Sequence, residues 1–165
     1  MLSKKLQDAL NEQITNELYS AHVYLAMSAH LTGANLPGFA RWMRLQSQEE
    51  YSHAMKIYDF VLERGGRVVL KPIDQPPAQY KSPLDVFQQA LKHEQKVTGM
   101  INRLYELAIK ENDYPTQIML QWFITEQVEE EHAASDVVEQ LKMIGNEPAA
   151  LFLLDRQLGA RGGDS

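Results

Sequence analysis

Four stretches of this chain, residues 5–32, 38–64, 83–111 and 116–144, each place apolar side chains at helical spacing over about 27 residues. The first stripe runs through Leu6, Leu10, Ile14, Leu18, Ala21 and Leu25, and the second through Phe39, Trp42, Met43, Ile57, Phe60 and Val61. The third uses Val86, Phe87, Ala90, Leu91, Val97, Ile101, Leu104 and Ala108, and the fourth Met119, Phe123, Ala134, Val137, Leu141 and Ile144. A helix about 40 Å long with one apolar stripe must bury that stripe against others of its kind.

The breaks between the stretches set the topology. Gly33 with Asn35-Leu36-Pro37-Gly38, and then Asn112-Asp113-Tyr114-Pro115, are short, so the helices they join are antiparallel neighbours. Residues 65–82 carry Gly65-Gly66, Pro72, Pro76 and Pro77 and read as a connection without regular structure. Extended, they reach about 60 Å, enough to run the whole length of a bundle. Ser82-Pro83 reads as an N-cap followed by proline at the first helical position. The expectation is an all-α, single-domain chain over residues 1–165, built as two helical hairpins joined by one long crossover. Gly145 ends the fourth helix, and Pro148 opens a short fifth over residues 148–158. Its run from Ala149 to Leu154 is too apolar for a monomer's surface, so it packs on its own bundle or on another subunit. Residues 159–165 read as a loose tail.

Near mid-length each long stretch breaks its own rule. The second stripe reads Gln46, Glu50, His53 where apolar residues belong, and the third inserts Glu94 between Leu91 and Val97. Glu17 borders the first stripe, with Tyr24 two turns on along the same side. In the fourth, Glu126 and Glu130 fall within the stripe, Gln127 beside it and Glu129 off-centre. Glu129 and His132 form a tempting E-x-x-H. At about 100° per residue, however, His132 points away from the stripe through Phe123, Val137 and Leu141. Glu50 and His53, three apart, share a face and can reach one metal ion.

Any one of these residues alone is ordinarily a surface carboxylate or a packed histidine. Four at one depth are a different matter, because carboxylates are buried only when paired or bound to metal. A purely structural helical protein would pair them with bases, but Lys92, Lys96 and Arg103 fall off the stripe. With no sulfur in the set, mixed carboxylate and imidazole ligands suit iron or manganese, with Glu50 the candidate bridge between two ions. Such a ligand arrangement is one already described for di-iron bundles. On burial grounds, Glu94→Leu is expected to relieve a buried charge and stabilise the metal-free bundle.

Bulk properties remove other classes. The net charge of −6 argues against nucleic acid as a main partner. The absence of cysteine excludes disulfides, thiolate sites and Fe–S clusters. Neither a secretory h-region nor a membrane-length apolar run is visible, so cytoplasm is the expected compartment, with no membrane partner.

The chain resembles the non-haem bacterial-type ferritins over essentially its whole length. The segments that carry the resemblance are Asn11-Glu12-Gln13 through Glu17-Leu18-Tyr19-Ser20, Gln48-Glu49-Glu50-Tyr51-Ser52-His53 and His93-Glu94-Gln95. To these are added Asp113-Tyr114-Pro115-Thr116, Leu120-Gln121-Trp122-Phe123 and Glu126-Gln127-Val128-Glu129-Glu130-Glu131. The resemblance implies a ferritin-like bundle, a hollow twenty-four-subunit cage and a ferroxidase centre in each subunit. Fe(II) would be oxidised there by dioxygen or hydrogen peroxide, and Fe(III) deposited inside as mineral. By motif position Glu17, Glu50 and His53 would hold the first iron, and Glu50, Glu94 and Glu130 the second, with Gln127 nearby. Glu49, Glu126 and Glu129 match a third iron site shared with Glu130, and Tyr24 matches a tyrosine close to the centre. Haem-containing relatives carry Glu and His where this chain has Gln127 and Glu130, and a methionine where Tyr51 stands, so haem is not expected. Animal-type cages line a three-fold pore with acidic residues where this chain has Gln117 and Leu120. A di-iron peroxidase that protects without bulk storage is the alternative function.

Overall fold

The computed structural model describes residues 1–162 and contains five helices. They are α1 (Lys4–Gly33), α2 (Pro37–Glu63), α3 (Pro83–Lys110), α4 (Tyr114–Ile144) and α5 (Pro148–Gly159). Their ends follow local chemistry. Ser3 Oγ accepts from Leu6 N, and Ser82 Oγ accepts from Asp85 N at 3.0 Å with Pro83 opening α3. Asp113 caps α4 by accepting from Thr116 N at 3.0 Å. That cap starts α4 two residues before the expected position 116. Pro115 is tolerated because the first helical turn has no use for its missing N–H.

Hydrogen bonds between helices give their directions. Ser28 Oγ donates to Ala40 O and Ser47 Oγ to Ala21 O, both at 2.7 Å, so α1 and α2 are antiparallel. Gln117 bonds to Ala108 O while Gln127 bonds to Thr98, so α3 and α4 are antiparallel as well. Leu10 and Ile14 pack with Val97 and Ile101, whereas Tyr24 and Met27 pack with Phe87 and Ala90, which sets α3 antiparallel to α1. Helices α2 and α3 therefore run parallel, and the connection between them spans the bundle. Residues 66–80 have no regular secondary structure. Side chains of α1 satisfy their backbone instead. Asn11 accepts from Val69 N and donates to Arg67 O, each at 2.9 Å, and Gln7 accepts from Arg67 N at 2.8 Å.

The interior has two apolar ends. One is centred on Met27, Phe39, Trp42, Met43, Phe87 and Leu141, the other on Leu6, Ile57, Val61, Ile101, Leu120 and Phe123. Helix α5 closes the first end by lying on the start of α2. A Cβ on Gly38 would stand 1.7 Å from Asp155 O, and one on Gly159 would stand 2.8 Å from Gly38 Cα, so this contact requires both glycines. Buried Asp155 Oδ1 accepts from Phe39 N at 2.9 Å and supplies the N-terminal cap that α2 lacks locally. Phe152 and Leu153, on the far side of α5, stay exposed. Among the described residues, no helix is long and apolar enough to cross a membrane.

The loose tail expected for residues 159–165 needs correcting. Gly159 belongs to α5, and the Arg41 guanidinium donates to the carbonyls of Gly159 and Arg161. The Arg161 side chain reaches back to Trp42, Gln46 and Glu49. Residues 163–165 lie outside the described residues.

Candidate metal centre

Between the two apolar ends the four long helices present polar side chains to one another. Glu17 comes from α1, Glu50 and His53 from α2, Glu94 from α3, and Gln127 and Glu130 from α4; all six are buried. Their ligand atoms gather into clusters, each spanning no more than 4.8 Å. Glu17, Glu50 and His53 form one, Glu50, Glu94 and Glu130 a second, and His53, Glu126 and Glu130 a third. Glu50 belongs to the first two and stands between them.

Hydrogen bonds hold one side of most of these groups. Gln13 Nε2 donates to Glu17 Oε1 at 2.8 Å. The Tyr24 hydroxyl donates to Glu94 Oε1, and Gln127 Nε2 donates to Glu94 Oε2 at 3.0 Å. Gln46 Nε2 donates to Glu130 Oε2. What remains is informative: among the described residues, Glu17 Oε2, Glu50 Oε1 and His53 Nδ1 are buried without any hydrogen-bond partner. Nδ1 lies 3.4 Å from Glu50 Oε2 but makes no hydrogen bond to it. Orphaned buried polar atoms are rare and costly, and these three belong to a single cluster. The His53 ring is wedged edge-on against Trp122 and Phe123, with centroids 5.3 and 5.9 Å away.

Burial governs the protonation of the metal-free site. It raises Glu17, and it raises Glu50 well above the usual range, where the charges of Glu94, Glu17 and Glu130 add to it. Burial also raises Glu94, against the hydrogen bonds from Tyr24 and Gln127. Glu130 is pushed up to about 9 by burial and then by the Glu94 charge. His53 is lowered by burial, favouring the neutral imidazole that a metal ion needs. Among the described residues no lysine or arginine lies within ion-pair distance of Glu17, Glu50, Glu94 or Glu130. The reading of this layer as salt-bridged scaffold therefore fails. A divalent cation fits these donors: oxygen ligands with one imidazole, unpaired by protein cations and partly unsatisfied.

Residues 7–144 match the family model described as ferritin-like domain. The chain is 42% identical over 161 residues to a bacterial non-heme ferritin of Bacteroides fragilis, covering 98% of this chain and all of the relative. It is 41% identical over 164 residues to a bacterial non-heme ferritin of Staphylococcus haemolyticus, covering 99% of each. An open-pore ferritin from the archaeon Archaeoglobus fulgidus superposes with a TM-score of 0.97 at 48% identity, over 98% of this chain and all of that one. The chain belongs to the ferritin family.

Within this ferritin the residues singled out from the sequence are not all gathered equally. Glu17, Glu50, His53, Glu94, Glu130 and Glu126 enter the clusters, Gln127 and Tyr24 bind Glu94, and Glu49 and Glu129 enter none. Glu49 Oε1 instead accepts from Arg161 Nη2 at 2.8 Å. His132 is exposed and lies 3.4 Å from Asp136, in agreement with the rejection of its E-x-x-H pairing. Sequence reasoning gave Gln13 no role and placed Gln46 in the second stripe without one. Gln13 binds the carboxylate one turn on, so an amide at i−4 was the available signal there, whereas Gln46 binds Glu130 on another helix and local spacing carries no such signal.

Proposed function

We propose that this ferritin binds two Fe(II) ions as substrate in its mid-bundle layer, oxidises them and stores the product as ferric mineral. The observation that carries the reading is the cluster of Glu17, Glu50 and His53, in which Glu17 Oε2, Glu50 Oε1 and His53 Nδ1 are buried without hydrogen-bond partners among the described residues. The first Fe(II) takes these three residues. The second takes Glu50, Glu94 and Glu130, beside Gln127. Binding displaces the protons that burial holds on the carboxylates, so metal uptake releases acid. Two Fe(II) supply two electrons. With hydrogen peroxide and two protons they yield two Fe(III) and two water molecules; with dioxygen and two protons they yield two Fe(III) and hydrogen peroxide. Carboxylate oxygens stabilise the additional charge of Fe(III). Tyr24 fixes Glu94 through its hydroxyl, and the amides of Gln13 and Gln46 orient Glu17 and Glu130.

A third ion site involves Glu126 and Glu130, with Glu49 and Glu129 at its margin. The proposed assembly is a hollow cage of twenty-four copies in the cytoplasm. Exposed Phe152 and Leu153, adjacent on α5, support it as an apolar surface that a second copy would cover.

The test is to give metal-free protein a large excess of Fe(II) in air and follow iron and protein through size exclusion. Many iron atoms per subunit, eluting with a high-mass cage, are expected. About two per subunit with rapid oxidation would instead make it a di-iron peroxidase or oxidase without storage. No retained iron would sink both readings.

A further inference from the structure

On α2, Trp42, Gln46, Glu49 and His53 recur at helical spacing and form one continuous face that leads into the metal layer. The first three of these residues are gripped by Arg161, a residue from beyond the end of α5. Its guanidinium lies 4.8 Å from the centre of the Trp42 ring. Nη1 donates to Gln46 Oε1 at 3.1 Å and to Trp42 O at 3.5 Å, and Nη2 donates to Glu49 Oε1 at 2.8 Å. Its placement is built in, because Gly159 sits directly on Gly38 and Arg41 holds the carbonyls of Gly159 and Arg161. Nothing in the two-ion chemistry uses this arginine.

We infer that Arg161 is a tethered cation that competes with a third metal ion at the inner margin of the centre. It does so along two routes. Through Nη2 it pairs with Glu49 and offsets the charge of that carboxylate. Through Nη1 it fixes the Gln46 amide with its oxygen outward, so that Gln46 Nε2 faces Glu130 and occupies Oε2. Arginine suits this role, since its planar fork serves two acceptors at once while its face rests on an indole. A third ion must displace that contact. Arg161 is thus a positioning residue that sets how readily iron accumulates beside the two-ion centre.

The inference rests on the two-ion reading above, and the experiment separates the two. Zn(II), which undergoes no oxidation, is titrated calorimetrically into metal-free wild type, Arg161→Ala and Arg161→Lys, alone and combined with Glu49→Gln. In wild type two ions bind tightly and a third weakly. In Arg161→Ala the third is expected to bind about tenfold tighter, the worth of one charge-assisted hydrogen bond. Arg161→Lys, which keeps the charge but loses the fork, should fall between them. The gain should shrink in the Glu49→Gln background, which closes the route through Glu49 and leaves the one through Gln46. Equal third-ion affinity in all three proteins, or a gain undiminished by Glu49→Gln, overturns the inference, as does a fall in thermal stability with no change in affinity. Should the alanine variant not assemble, the lysine variant decides by the same criterion. Failure of wild type to bind two ions tightly would overturn the centre itself.

Discussion

The apolar ends of the bundle and the layer between them are built on the same four helices at the same spacing, yet they satisfy opposite rules. At the end around Phe39, Phe87 and Leu141, apolar side chains bury one another, and the fold is its own best partner. In the layer of Glu17, Glu50, Glu94 and Glu130, four carboxylates face one another without a protein cation. Asp155 shows what a settled buried carboxylate looks like, since it lies at an apolar end and receives a backbone N–H from Phe39. Stability thus resides in the ends, and the layer between them is held in a partly unsatisfied state that a metal ion would relieve.

The sharpest way to break this contrast is to damage one region and read the other. Phe87→Ala should cost about 3–5 kcal/mol, because Phe87 is fully buried between Phe39 and Trp42. Thermal unfolding of metal-free protein measures this loss, while the surviving cage should still bind two ions per subunit. Glu50→Ala should do the reverse. Initial Fe(II) oxidation, followed by absorbance in stopped flow, should fall about 100-fold with no loss of metal-free stability. His53→Ala should behave likewise, and wild-type rates in both variants would remove the assignment. Asp155→Ala leaves Phe39 N buried and uncapped, and should lower stability by about 1–2 kcal/mol without touching oxidation.

The smallest effect is the most diagnostic. Glu94→Leu, attractive on burial alone, would strand the Tyr24 hydroxyl and remove one of the acceptors of the Gln127 amide. Glu94→Gln keeps an acceptor for Tyr24 and removes the charge, so it should stabilise the metal-free protein by about 1 kcal/mol near neutral pH. The pH dependence follows the same logic. The raised carboxylates, Glu130 at about 9 among them, are protonated more readily folded than unfolded. Their contribution is complete below the ordinary carboxylate range and is lost as pH rises toward 9. His53, lowered by burial, works in the other direction below its ordinary range. The melting temperature of metal-free protein should therefore decline from about pH 6 to 9, and Glu94→Gln should flatten that decline. An equal slope in both proteins would mean that Glu94 stays ionised, held by the Tyr24 and Gln127 hydrogen bonds.

What the sequence determined by itself is whatever repeats along a helix. Apolar spacing marked the four long helices, Ser82-Pro83 and Gly145 marked two of their ends, and the misfits Glu17, Glu50, His53, Glu94 and Glu130 marked the depth of the centre. These signals are local, so periodicity and capping chemistry carry them without knowledge of the fold. The tertiary structure alone decided the rest. It placed Asp155 on Phe39, Gln46 on Glu130 and Arg161 on Glu49, pairs separated by 84 to 116 residues. It also turned a tail that reads as loose into an anchored one, through two glycines at a helix crossing. Contacts of this kind depend on the angle and distance at which helices pack, and no spacing along one helix encodes the geometry of another.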